Sequence, residues 1–147
     1  MAFSIDVVQD EILAHLKAAI EPAQMVYEDY IPNTKTLRRN LSGEVVPYVV
    51  VQFGDLQPRN AYAMTGAWDD DYELPIYIQS ISADPKISRR ISNKVVRTFL
   101  AQSFPWSGDV RKRAGFNMFT IDSSDSSIEA YASPAFFNVV IQVSDEA

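Results

Sequence analysis

The chain has 147 residues, an apolar fraction of 47% and a charged fraction of 22%, the size and balance of one folded domain with one core. It has no cysteine, which excludes disulfides, thiolate nucleophiles and cysteine metal sites. Thirteen Lys and Arg against nineteen Asp and Glu give a net charge of −6, which disfavours nucleic-acid binding as the main task.

The opening Met1-Ala2-Phe3-Ser4-Ile5-Asp6 lacks a basic stretch followed by an apolar run, so no secretory signal is expected. No stretch approaches the ~18 consecutive apolar residues of a membrane-spanning helix. The expectation is a protein made and used without secretion.

Ile5, Val8, Ile12, Leu16 and Ala19 recur at spacings of three or four, with Leu13 and Ile20 widening the stripe, and predict a helix over 4–20. Ser4 is placed to cap it, Asp6, Asp10 and Glu11 suit the positive end of its dipole, and Pro22 stops it. Gln24 to Ile31 reads as a first strand, ended by Pro32-Asn33, and the polar stretch from Asn33 to Glu44 as a connecting loop. Val45 to Phe53, rich in β-branched and aromatic residues, is the clearest strand. Pro47 lacks a backbone donor, so this strand starts at a sheet edge or its pairing begins after the proline.

Gly54 to Asp71 is irregular: Gly54, Pro58, Asn60 and Gly66 break it, yet it holds the large residues Tyr62, Met64 and Trp68. Those three either tuck under the core or stand at a protein interface, where Tyr, Trp and Met are favoured. Tyr72 to Ile81 is a strand with Tyr72, Leu74, Ile76 and Ile78 on one face. Asp84 then caps, and Pro85 opens, a helix running to about Ser103. Gly115 to Ile121 gives another strand, 122–127 a polar turn, and Ile128 to Ser144 a long final segment. In the latter Phe137, Val139, Ile141 and Val143 alternate with polar residues, the pattern of one buried face, and Pro134 predicts a bend or bulge between two parts. Strands that follow one another without helical crossovers pair antiparallel. The expected fold class is therefore α+β: a single domain over 1–147, a mainly antiparallel sheet and two helices on one of its faces.

Catalytic signatures are absent from the sequence. The single histidine, His15, cannot form a multi-histidine metal site and reads as a surface or boundary residue. No serine lies in a Gly-x-Ser-x-Gly turn, and the five glycines are too scattered to cradle a phosphate. The carboxylates Asp69, Asp70, Asp71 and Glu73 form the densest acidic cluster, but adjacent strand residues point to opposite faces and the spacing is not that of a calcium-binding loop. Asp122 and Asp125 read as turn residues. The expectation is a protein that is not an enzyme, with no cofactor; a small metal-dependent hydrolase using Asp69, Asp71 and Glu73 is the alternative from another class.

The second helix is more informative. It carries Lys86, Arg89, Arg90, Lys94 and Arg97 and no acidic residue. At about 100° per residue, Lys86, Arg90, Lys94 and Arg97 form one stripe, with Ile87, Ile91, Val95 and Phe99 on the neighbouring arc. Arg111, Lys112 and Arg113, read as part of the following loop, can join that patch. Three readings stand: a solvated helix, a surface complementary to acidic groups on another copy or a partner, or a phosphate-binding face.

The opening helix Ile5 to Ile20, the strand Val45 to Phe53, the strand-to-helix unit Tyr72 to Ser103 and the closing strand Phe136 to Ser144 cover most of the chain. In size, element order and texture they make it similar to the tail terminator (tail-completion) proteins of long-tailed, non-contractile bacteriophages and to neighbouring small neck proteins. The resemblance implies a virion subunit, assembled in the host cytoplasm, that forms a ring, usually a hexamer, at the head-proximal end of the tail tube. Such a ring stops polymerisation of the tube and offers a surface to the head connector. Its implied partners are further copies of itself, the major tail tube protein and connector or neck proteins, with DNA only as passing cargo, no membrane and no cofactor. A head-closure or connector protein is the near alternative. That family has no catalytic motif, so no residue role is carried over to a numbered position here.

Overall fold

The computed structural model describes residues 5–20, 25–28, 40–58, 71–100, 107–112, 118–122 and 128–142. Two helices, α1 (Ile5–Ile20) and α2 (Pro85–Leu100), pack on one sheet. Its strands are β1 (Met25–Glu28), β2 (Tyr48–Phe53), β3 (Gln57–Pro58), β4 (Asp71–Ser82), β5 (Ser107–Lys112), β6 (Phe119–Asp122) and β7 (Ile128–Gln142). The sheet runs in the order β1-β2-β4-β7-β5, with β3 on β4 and β6 on β7. All pairings are antiparallel except β1 with β2, so the expected α+β class and mainly antiparallel sheet hold. The parallel pair is possible because 19 residues connect its strands, enough to carry the chain back to the starting end.

Long β4 and β7 form the centre, in unbroken register from Asp71 opposite Gln142 to Ser82 opposite Tyr131. Both helices cover the same face. Val8, Ile12, Leu16 and Ile20 of α1 and Ile91, Val95 and Phe99 of α2 are buried against Val49 and Val51 of β2, Leu74, Ile76 and Ile78 of β4, and Ala135, Phe137, Val139 and Ile141 of β7. The helical stripe and the strand alternation thus reach the core from both sides, as the two periodicities require. A smaller cluster on the opposite face joins Val45, Tyr48, Val50, Ile81, Ala130 and Ala132.

Three expectations need correction. Pro134 does not divide the last segment: β7 is one strand, and Pro134 sits opposite Gln79 within it. Among the described residues, the outer edge of β7 is unpaired between Ala132, the β6 partner, and Phe137, the first β5 partner. A residue with no backbone donor is tolerated where a ladder is interrupted. Nor does β7 have a single buried face; Val140 and Ala132 are buried on one side as Phe137 and Val139 are on the other, as befits a central strand. Finally, 107–112 is a strand, although Val110 is the only large apolar residue of Ser-Gly-Asp-Val-Arg-Lys. Its alternation is too weak to read, and pairing to the backbone of β7 supplies the order instead.

Pro75 marks a similar change of neighbour on β4, where β2 ends and β3 begins. The Gly54 amide donates to the Pro75 carbonyl at 2.8 Å. A Cβ at Gly54 would lie 3.1 Å from Pro75 Cβ and 3.2 Å from its Cγ, and the proline ring is too stiff to swing aside. Gly54→Ala is accordingly expected to cost about 1–2 kcal/mol, as overpacking does. Urea unfolding checks this, and an unchanged midpoint would mean that the strand shifts freely there.

Candidate interaction surface

The first turn of α2 is fixed by its own sequence. The Lys86 amide donates to Asp84 Oδ1 at 2.9 Å, and the Ser88 amide donates to the Asp84 carbonyl at 3.0 Å. Asp84 therefore caps as expected, with Pro85 at the first helical position. The Asp84 amide in turn donates to Ser82 Oγ at 3.2 Å, tying the cap to the end of β4.

The inner face of α2 is held by apolar and polar contacts together. Phe99 stacks on Phe137 of β7 with ring centroids 4.9 Å apart and planes at 26°. Ser88 is fully buried, and its hydroxyl lies 2.5 Å from the Ser80 carbonyl and 3.1 Å from the Tyr131 carbonyl. One buried hydroxyl thus spans α2, β4 and β7. Residue type hides Ser88 and the buried Ser92, since a serine within a basic helix reads as solvated. The one available signal is their position, since both fall on the arc of Ile91, Val95 and Phe99.

With that face seated, the opposite face is exposed at Lys86, Arg89, Arg90, Asn93, Lys94, Arg97 and Leu100. The predicted stripe of Lys86, Arg90, Lys94 and Arg97 is therefore a solvent face. None of its cations has an ion-pair partner among the described residues. In the register Arg111 stands opposite Asn138 and Lys112 opposite Phe137, so these two belong to strand β5 and not to a loop. Arg113, Tyr62, Met64 and Trp68 lie outside the described residues.

The two helices also touch each other. His15 Nε2 of α1 lies 3.4 Å from the Thr98 carbonyl near the end of α2, so the histidine is a half-buried helix-to-helix contact. Of the acidic cluster, Asp69 and Asp70 lie outside the described residues, Asp71 opens β4, and Glu73 Oε2 accepts from Asn138 Nδ2 at 3.3 Å. Among the described residues no three His, Asp or Glu side chains gather in a group able to hold a metal ion. Asp122 ends β6 opposite Ile128, and Asp125 lies outside the described residues.

A cleft of about 250 Å³ beside the start of α2 is lined by Asn40, Glu44, Val45, Pro47, Ser82 and Asp84, among others. Three of its polar side chains are engaged in local structure. Asn40 Oδ1 accepts from the Ser42 and Glu44 amides, both at 3.0 Å, while Ser82 and Asp84 cap α2. Among the described residues of this cleft, no nucleophile is paired with a base. No described helix is long and apolar enough to cross a membrane. No protein-family model matches the chain, and no curated protein matches it in sequence.

Proposed function

We propose that this chain is a structural subunit of a phage virion, a tail terminator whose copies form a ring of six. In this reading the ring caps the head-proximal end of the tail tube, stops its polymerisation and joins the tail to the head connector. The observation that carries the reading is the outer face of α2: five cations, all exposed, and no acid, on a chain whose net charge is −6. A surface so segregated in charge, on a helix anchored through Ser88 and Phe99, suits docking against an acidic surface of like or unlike chains. Self-assembly into a closed ring needs two different complementary patches on each copy, and charge segregation supplies them.

Reversing Arg90 and Arg97 to Glu is expected to weaken assembly, and more at 50 mM than at 500 mM salt, because exposed charges are screened within about a Debye length. Native mass spectrometry and negative-stain images of the protein, alone and with purified tail tubes, provide the readout. Assembly unchanged at both salt concentrations would remove α2 from the contact. Capture by the tail tube protein, as against portal or connector, separates a terminator from another neck component.

A further inference from the structure

Among the described residues the two edges of the sheet differ in charge. At one edge stands β1, with α1 packed above it. The helix holds Asp6, Asp10 and Glu11 against Lys17, and β1 ends on exposed Glu28, so these two elements sum to −3. At the far side α2 lies over β4, β7 and the edge strand β5. Its five exposed cations sum to +5.

Two of the three α1 acids are turned outward, with Lys17 beside them, while Glu11 stands about 40° from His15 on the α2 side. His15 faces α2, and at 100° per residue Asp6 and Asp10 stand about 180° and 140° around α1 from it, on the flank away from α2. Among the described residues β1 and β5 each pair with a strand on one side only. Unpaired edges invite association, and their charge decides which edge meets which.

We propose that copies of this chain associate edge to edge, the α1–β1 edge of one against the α2–β5 edge of the next. This rests on the assembly reading above and names the surface that α2 meets. The contact is heterologous, so each added copy presents the same two unlike edges again, and the array closes when the rotation between neighbours permits. Like edges repel, which disfavours the symmetric β1-to-β1 and β5-to-β5 pairings that open edges otherwise allow.

The experiment uses two variants of the full chain. Asp6→Lys with Asp10→Lys makes the α1–β1 edge weakly positive. Arg89→Glu, Arg90→Glu, Lys94→Glu and Arg97→Glu together make the α2–β5 edge negative. All six positions are exposed, and circular dichroism checks that each variant folds. At low salt each variant alone is expected to assemble at least tenfold more weakly than the parent. An equimolar mixture is expected to assemble again, in complexes with even subunit numbers because the two variants must alternate. Either variant assembling alone as well as the parent, or a mixture that stays dissociated while the parent assembles, overturns the edge pairing and leaves the assembly reading standing. A parent monomeric at every concentration, alone and with tail tubes, overturns both. DNA retained by the parent and lost by the fourfold variant, with assembly unchanged, assigns the α2 face to a polyanion and also overturns the pairing.

Discussion

Phe137→Ala is expected to destabilise the fold by about 3–5 kcal/mol, the range for truncating a fully buried aromatic residue. Phe137 has no exposure, lies opposite Ile76 at the centre of the β4–β7 ladder and stacks on Phe99 of α2. Its removal therefore forfeits burial and stacking at once and leaves a cavity beneath the helix that bears the basic face. Against a typical domain stability of about 5–15 kcal/mol, that is a large fraction of the total. Urea denaturation checks it. Phe137→Leu, which keeps an apolar side chain in the space, should lose less, and a loss below about 1 kcal/mol for Phe137→Ala would mean that α2 is not anchored there. The alanine variant should also assemble poorly at temperatures where it is still folded, since the placement of α2 and its cations on the sheet depends on this seat.

The sequence displays most of this architecture because its strongest elements have clear periods. The α1 stripe of Val8, Ile12 and Leu16 and the alternation of Leu74, Ile76 and Ile78 both reach the core as their spacing predicts. Asp84-Pro85 places the start of α2 to the residue, through a cap whose chemistry is local. What stays hidden depends on partners distant in sequence. Strand β5 is defined by the β7 backbone opposite it, which no pattern within Ser107–Lys112 can report. Pro134 looks like a break, since nothing local shows that, among the described residues, the edge beside it is already interrupted. The basic stripe of α2 is legible for the same reason as its core face, both being set by one helical period. Its acidic counterpart is not, because the opposition of the two sheet edges exists only once the strand order is known.

Ser88 and Ser80 should respond in opposite senses to the same substitution. Ser88→Ala removes a hydroxyl that links α2 to carbonyls of both β4 and β7, and is expected to cost about 1–2 kcal/mol. Ser80 is as well buried, but its own hydroxyl has no hydrogen-bond partner among the described residues, only its carbonyl being used by Ser88. A buried donor left unmatched is itself unfavourable, so Ser80→Ala is expected to be neutral or to stabilise by up to about 1 kcal/mol. Thermal and urea unfolding of both variants provide the comparison. Equal losses in the two would show that small polar residues matter here only for the space they occupy between α2 and the sheet. A loss confined to Ser88→Ala, with weaker assembly at low salt, would show that this hydroxyl fixes the pose in which α2 presents its cations.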